Sequence, residues 1–326
     1  NQARSGAQTL ELLASPINCA ALEALAGGPK QQTELRRAAG SPAQSTLRGQ
    51  LARLNAMGAI QKQHQNRFPG AVEHELTDAG RELLEVAGAL GRWLGRRPED
   101  PPALGSSKAK AAIKALAEGW NTAMLRVLAA EPLTLTRLDR VVKSLNYPSL
   151  ERRLTAMRLA GLAEATEGDG RGTPYRVTPW AREAVAPLLA ASQWERRRRP
   201  DESNGIGKVD VETVFLLAMP LLRLPEGLSG ACRMTVATAS GGNDALAGVL
   251  VDARAGRVTA CTTRLQGDPA AWASGNPAAW LAAILEADID LLEIGGDRAL
   301  ARTLLDALRD ALFGAPARRA SRRPPP

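Results

Sequence analysis

Two short segments of the chain carry polar and basic residues at the spacing expected for the exposed face of a helix. In the first, Leu47, Leu51 and Leu54 recur at helical spacing and predict a buried stripe. The same periodicity places on the open side and at the N-terminal end Gln44, Ser45, Thr46, Arg48 and Arg53. Arg and Gln can form paired hydrogen bonds with base edges, whereas Ser and Thr mostly reach phosphates. The segment therefore has the chemistry to contact a nucleic acid.

The second segment has the same design. Leu150, Leu154 and Met157 predict its buried stripe. The side chains predicted to face outward or to lie at its N-terminal end are Asn146, Tyr147, Ser149, Arg152 and Arg153. An ordinary solvated polar face is the alternative, and for a lone helix it would be preferred. Because the pattern occurs twice, DNA contact is favoured here.

The two segments belong to a longer internal repeat. An offset of 103 positions brings Leu22 onto Leu125 and Gly58 onto Gly161. After a loop that is two residues shorter in the second copy, Leu76 and Thr77 match Val177 and Thr178. One structural unit is therefore predicted to occur twice.

The order of elements within this unit can be predicted from start and stop signals. A helix follows Ser15-Pro16, a short helix comes next, and Ser41-Pro42 opens a third helix that ends at Gly58. Two strands joined by a polar loop and a last helix complete the unit, which predicts a winged helix-turn-helix. The hairpins, or wings, carry further cations at Lys62, Arg67 and Arg171.

The end of each unit carries a family resemblance. Residues 72–94 read VEHELTDAGRELLEVAGALGRWL, and residues 173–194 read TPYRVTPWAREAVAPLLAASQW. Both resemble the HxlR branch of winged-helix bacterial regulators, although His74 replaces the usual Tyr and Ala181 the usual Gly. The resemblance implies a third helix in the major groove of DNA and dimerisation through terminal helices. Two copies in one chain imply an intramolecular pseudo-dimer.

The charge distribution favours duplex DNA as the partner. The net charge of +8 suits an anion, while an aromatic content of 3% leaves few platforms on which single-stranded bases could stack. The net charge is +2 over residues 1–100, +6 over 101–207 and zero over 208–326. We therefore expect the second unit to dominate the affinity for DNA.

The third block of the chain has a different pattern. Three strand-like runs precede helices, and the stretches LLEIGGDRALARTLLDAL (residues 291–308) and GDPAAW (residues 267–272) resemble sterol-carrier-protein type domains. That resemblance implies an apolar tunnel for a small apolar effector. The candidate lining residues are Phe215, Trp272, Trp280, Leu281, Ile284 and Leu285. Simple filling of a core is the alternative for each of them.

These observations predict an α+β chain that is mainly α: two tandem winged helix-turn-helix domains followed by a smaller α+β sandwich-like domain. The predicted domains are 1–98, 108–199 and 208–313, with linkers at 99–107 and 200–207 and a disordered, basic, Pro-rich tail at 314–326.

The sequence has few residues that could form an enzyme active site. The chain has two His residues, and Ser240, Asp244 and Asp252 have no His in their block to complete a triad. We predict no metal, no cofactor and no catalytic site. Cys19 falls on an apolar helix face and predicts core packing, although a thiol-sensor role stays open.

The leading hypothesis is a cytoplasmic, nucleoid-associated regulator of transcription that binds double-stranded DNA and answers an apolar effector. Membrane binding is not predicted, and a further homodimer stays open. One alternative is a tandem winged-helix scaffold for protein contacts, which the outward Arg residues of the second unit argue against. Another is a lipid or small-molecule carrier, in which the last block alone would bind the cargo.

Overall fold

The computed structural model describes residues 4–64, 72–167, 172–198, 207–237 and 247–314. The chain divides into two compact units, Asn1–Gly205 and Ile206–Pro326. Helices predominate and each unit also contains sheet, which agrees with the predicted α+β class. No helix in the described ranges is both long and apolar enough to cross a bilayer. Most of the predicted second linker and tail lies outside those ranges.

The first half of unit 1 contains five helices and a small antiparallel sheet of order β1-β3-β2. Its elements are α1 (Ala7–Leu13), α2 (Pro16–Ala26), β1 (Lys30–Gln31), α3 (Gln32–Ala38), α4 (Gln44–Ala56), β2 (Ile60–His64), β3 (Val72–Leu76) and α5 (Asp78–Gly95). The apolar stripe of α4 is buried, as its periodicity predicted, with Leu47 and Leu54 fully covered.

The third predicted helix begins later than its start signal suggested. Ser41 has a φ of 56°, and Arg36 Nε donates to the carbonyl of Pro42 at 2.9 Å. Residues 41–43 therefore form the turn between α3 and α4, and the helix starts at Gln44. Ser-Pro was read as a helix start, but the left-handed Ser41 places it in the turn instead.

The second half of unit 1 repeats this order of elements. Its helices and strands are α6 (Ser107–Asn121), α7 (Met124–Ala130), β4 (Leu133–Thr134), α8 (Leu135–Val141), α9 (Tyr147–Leu159), β5 (Ala163–Ala165), β6 (Pro174–Val177), α10 (Pro179–Arg182) and α11 (Val185–Arg198). The sheet has the order β4-β6-β5, which matches that of the first half.

The last helix of the second half is broken where that of the first half is continuous. Pro187 has no N–H to donate to the carbonyl of Glu183, and its ring crowds that carbonyl. The equivalent residue in α5 is Val86, which carries no such constraint. The helix therefore pauses at Glu183-Ala184 and divides into α10 and α11.

Both last helices begin with the same cap. The hydroxyl of Thr77 accepts from the N–H of Gly80 and donates to the carbonyl of Gly58. The hydroxyl of Thr178 accepts from Ala181 and donates to Gly161 in the same way. Each cap thus ties the start of the last helix to the left-handed glycine that ends the third helix.

Unit 2 contains a five-stranded sheet of order β11-β10-β7-β8-β9, in which only the β10–β7 pair among the described strands is parallel. Its elements are α12 (Lys208–Ala218), β7 (Gly230–Val236), β8 (Ala247–Arg254), β9 (Arg257–Thr262), β10 (Ala271–Gly275), α13 (Pro277–Leu281), β11 (Glu293–Gly296) and α14 (Arg298–Phe313). The core-facing residues of β7 and β8 alternate with half-exposed ones, so one face of the sheet is buried.

Candidate nucleic-acid interface

The third helix of the first half, α4, presents the predicted polar face to solvent. Gln44, Ser45, Thr46 and Arg48 are exposed, and among the described residues Arg48 has no ion-pair partner. Arg53 is also exposed, but its guanidinium lies 3.9 Å from the carboxylate of Glu11 on α1. Four of the five predicted side chains are therefore available to an incoming ligand without breaking an ion pair.

The equivalent helix α9 presents Tyr147 and Arg152 to solvent, while Ser149 is half-buried. Asn146 is the N-cap, and its side-chain oxygen accepts from the N–H of Ser149 at 3.0 Å. The oxygen keeps a second lone pair and the NH₂ group can donate, so the cap orients Asn146 without excluding it from contact with a ligand.

Arg153 was predicted to face outward, and this prediction is wrong. Its side chain is 23% exposed and turns towards α6, where its Nε lies 3.8 Å from a carboxylate oxygen of Glu118. Gln50, the equivalent residue of α4, is also half-buried. The helical periodicity predicts an outward position, but α6 packs against this side of α9. Arg153 is therefore half-buried against α6 and less exposed than Arg152.

The wing of the first half carries Lys62 on β2, and its side chain is exposed. Lys62 lies opposite His74 on β3, which in turn lies opposite Lys30 on β1. Burial of His74 lowers its pKa, and the charge of Lys62 lowers it further. His74 is therefore neutral near pH 7, and the lysines supply the positive charge of this wing. Arg67 and Arg171 were predicted at the wing tips and lie outside the described residues.

Two exposed cations next to the third helices were missed from the sequence. Arg37 on α3 and Arg140 on α8 occupy equivalent positions at the offset of 103, and both are exposed. The helix before the third helix crosses the DNA backbone in helix-turn-helix proteins, so a cation there would meet phosphate. The repeat itself was the signal, because it aligns these two Arg residues.

Helices α5 and α11 pack against each other through equivalent contacts made in opposite directions. Trp93 Nε1 donates to the carbonyl of Trp180 at 3.0 Å, and Trp194 Nε1 donates to the carbonyl of Ala79 at 2.9 Å. At the offset of 101 that holds after the wing loop, Trp93 is equivalent to Trp194, and Ala79 to Trp180. Each half therefore donates the same indole hydrogen bond to the other half, as expected for two halves related by a pseudo-twofold axis.

An ion-pair exchange follows the same symmetry. Arg96 lies 3.5 Å from Glu183, and Arg197 lies 3.9 Å from Glu82. These four residues are also equivalent in pairs at the offset of 101. All are at least partly exposed, so each pair contributes little energy. The two ion pairs nevertheless follow the same pseudo-twofold axis, because equivalent residues form both of them.

Comparison with known proteins identifies the first half. A family model described as HxlR-like helix-turn-helix matches residues 15–100. A protein of Bacillus subtilis (strain 168), named as the uncharacterized HTH-type transcriptional regulator YtcD, is 35% identical over 85 residues. That match covers 26% of this chain and 68% of the Bacillus protein. The chain belongs to the HxlR-like helix-turn-helix family.

The HxlR-like match spans α2 to α5 and so includes the exposed face of α4 and the first wing. This assignment establishes a helix-turn-helix domain of a DNA-binding family in the first half of unit 1. The matched range ends before α6, and the second half shares with the first its order of elements.

The thiol-sensor alternative for this HxlR-like chain finds no support at Cys19. The residue is buried, and its thiol donates to the carbonyl of Leu13 at 3.1 Å. Burial, followed by the charge of Glu23, raises the pKa of Cys19 to about 11. The reactive thiolate is therefore scarce near pH 7. Core packing accounts for Cys19.

Four of the six residues predicted to line a ligand tunnel are packed in the core of unit 2. Phe215, Trp280, Leu281 and Ile284 are buried, and the rings of Phe215 and Trp280 meet edge to face with centroids 4.8 Å apart. Leu285 is half-buried. These residues fill the core of unit 2, which was the alternative reading.

Trp272 lies on the opposite face of the sheet, so its assignment to the tunnel is wrong. Its neighbours Ala271 and Ala273 on β10 are buried, whereas Trp272 is 37% exposed. Side chains alternate along a strand, and on β10 the two alanines face the core. The indole instead covers Gly295 of β11, where a Cβ would collide with it. Alternation alone does not indicate which face of this strand is buried.

Unit 2 does contain an open cleft of about 820 Å³ elsewhere. Its lining residues are Pro220, Leu221, Leu222, Arg223, Leu224, Glu226, Ala255, Gly256, Arg257 and Val258. None of the six predicted residues is among them. The cleft has both apolar and basic walls, which differs from the purely apolar tunnel that the resemblance implied.

Proposed function

We propose that this chain regulates transcription by binding duplex DNA with two winged helix-turn-helix domains that act as an intramolecular pseudo-dimer. The first domain is the HxlR-like half, and the second is the half that repeats its order of elements. The observation that carries the proposal is the exchange of indole hydrogen bonds by Trp93 and Trp194 across α5 and α11. It supports a fixed twofold arrangement of the third helices within one chain.

The exposed residues of the third helices support duplex DNA as the ligand. Arg48 and Arg152 are both exposed, and neither has an ion-pair partner among the described residues. Arg37 and Arg140 add cations on the preceding helices. A protein scaffold built on these helices would need apolar or acidic outer faces. The basic faces therefore favour the DNA reading over the scaffold alternative.

The second domain is proposed to supply most of the affinity. Residues 101–207 carry a net charge of +6, against +2 for residues 1–100. Arg152 occupies the position at which α4 has Gly49. Phosphate contacts by cations supply most of the sequence-independent affinity for DNA, so the more basic half should dominate it.

Regulation by a small apolar effector in unit 2 stays part of the proposal, on the resemblance to sterol-carrier-type domains. Among the described residues, the cleft beside Leu222 and Leu224 has room for such an effector. Displacement of a fluorescent apolar probe by a long-chain alcohol, with Leu222→Arg as the variant, tests this part separately from DNA binding.

The experiment that tests the main proposal is a salt titration of the affinity of the full chain for random duplex DNA. Fluorescence anisotropy should give a linear fall of log K with log salt concentration, with a slope of about −4 to −6 for five or six phosphate contacts. Binding should saturate at one chain per short duplex. Absence of binding at low salt would overturn the proposal, and two chains per site would overturn the pseudo-dimer.

A further inference from the structure

The third helices α4 and α9 have similar buried faces and different exposed faces. Both are 13 residues long, and they are equivalent at the offset of 103. Their buried residues correspond as Leu47 with Leu150, Leu51 with Leu154, and Leu54 with Met157. The two helices therefore bury the same positions, and the positions equivalent to Gln44, Ser45, Arg48 and Gly49 are exposed in both.

The exposed positions in the first two turns differ in chemical type. The exposed or N-terminal pairs are Gln44 with Tyr147, Ser45 with Pro148, Arg48 with Glu151, and Gly49 with Arg152. The third of these pairs changes a cation into an anion. Both Arg48 and Glu151 are exposed, and neither has an ion-pair partner among the described residues. No contact within the described protein accounts for the reversal.

The change from Arg48 to Glu151 would alter which base each helix can bind. An Arg at this position can donate to O6 and N7 of guanine, whereas a Glu can accept from the N4 amino group of cytosine. A carboxylate turned towards DNA is repelled by phosphates, so its presence is favourable only where a base donor meets it. The adjacent Arg152 adds a guanine-binding donor that α4 lacks at Gly49.

The pseudo-twofold contact between α5 and α11 relates the unlike exposed faces of α4 and α9, and this relation predicts the symmetry of the DNA site. In a symmetric dimer, identical reading helices are related by a twofold axis, and the operator is a palindrome. Here the axis relates two unlike helices. From the proposed function, on which this step rests, we infer that the target is a non-palindromic duplex site. Its half-site under α4 is selected through Arg48, and its half-site under α9 through Glu151 and Arg152.

A non-palindromic target gives the complex a direction that a palindrome lacks. The chain can occupy an asymmetric site in only one orientation with both helices matched.

Selection from a pool of duplexes with a random central region tests the inference with the full chain. We expect the enriched motif to contain two dissimilar half-sites about one helical turn apart. Glu151→Gln should reduce the preference at one position of one half-site by about 10-fold, and Arg48→Glu should change only the other half-site. Glu85→Gln, the same substitution as Glu151→Gln on the exposed side of α5, should leave the motif unchanged.

A swap variant gives a second and sharper result. Tyr147→Gln, Pro148→Ser, Ser149→Thr, Glu151→Arg and Arg152→Gly together copy the exposed residues in the first two turns of α4 onto α9 and leave its buried stripe intact. We expect selection with this variant to return an inverted repeat of the α4 half-site. Circular dichroism and the salt titration show whether the swap variant still folds and binds.

The outcomes separate this inference from the proposed function. An inverted repeat enriched by the unmodified chain, or a dissimilar motif that persists in a folded swap variant, overturns the inference while DNA binding stands. Failure of the unmodified chain to bind any duplex overturns the proposed function itself.

Discussion

The indole rings of Trp93 and Trp180 lie face to face, with centroids 4.4 Å apart and planes 5° from parallel. Each indole N–H also donates to the backbone carbonyl of the other residue, at 3.0 and 2.8 Å. Both side chains are buried between the two halves of unit 1. This stack is an asymmetric addition to a symmetric contact, because Ala79 stands at the position equivalent to Trp180 and has no ring to offer Trp194.

Replacement of Trp180 by Ala should loosen the contact between α5 and α11. The change removes a buried ring and its stack, while Trp93 keeps a backbone carbonyl to which it can donate. Such deletions cost about 3–5 kcal/mol when the surroundings cannot collapse. Amide hydrogen exchange of the full chain, resolved by peptide, should show faster exchange in both helices. Trp272→Ala, at an exposed indole of unit 2, should leave their exchange unchanged. Equal exchange in the Trp180→Ala variant and the unmodified chain would contradict this account.

Arg152 should matter more than Arg48 for sequence-independent binding. Charge reversal of Arg152 removes an exposed cation from the more basic half, so we expect Arg152→Glu to weaken affinity for random duplex by about 10-fold. Arg48→Glu should weaken it by about 2- to 3-fold. Arg92→Glu on α5 is the control with the same charge change. Anisotropy titrations at one salt concentration measure all three, and equal losses for Arg152 and Arg48 would refute the dominance of the second half.

Arg153 is unsuitable for the same comparison, and it shows where sequence reasoning stops. The buried stripes of α4 and α9 followed from helical periodicity, because burial of leucines depends on local spacing. The exposure of Arg153 depends instead on α6, which is more than 30 residues earlier in the chain and contributes Glu118. No local pattern carries that information.

The differences at Trp272 and at the start of α4 have separate causes, the packing of the sheet in one case and a local turn in the other. Alternation along β10 predicts that Trp272 and its neighbours face opposite sides, but only the packed sheet decides which side is the core. The late start of α4 depends on the conformation of Ser41 and on a bond from Arg36 to Pro42. The repeat was visible because sequence similarity survives at caps and stripes. The Trp93–Trp180 stack was not, because it joins positions that are not equivalent.

Gly49 offers a gain-of-function test of the reading helix. It lies inside α4, and a Cβ built there meets no atom within 4 Å, so a side chain can be added without a clash. Gly49→Arg should stabilise the helix by about 0.5–1 kcal/mol and raise affinity for random duplex by about 3- to 10-fold. Gly49→Ala is the matched control, because it should give the same stabilisation with no gain in affinity. Thermal unfolding and anisotropy measure the two effects. A gain in affinity by both variants would assign it to helix stability and not to charge.

His74 should make the first wing sensitive to acid. Its folded pKa lies below the ordinary value of 6.5 because of burial and the nearby Lys62, so the unfolded chain binds the proton more tightly. The contribution of neutral His74 to stability is therefore present above pH 6.5 and is lost as the pH falls through the folded pKa. His74→Tyr, which installs the residue found at the equivalent Tyr175, removes this titration. Hydrogen exchange of β3, corrected for the intrinsic effect of pH, should show more opening at pH 5.5 than at pH 7.5 in the unmodified chain, and a smaller difference in the variant. An equal acid response in both proteins would show that another group controls the wing.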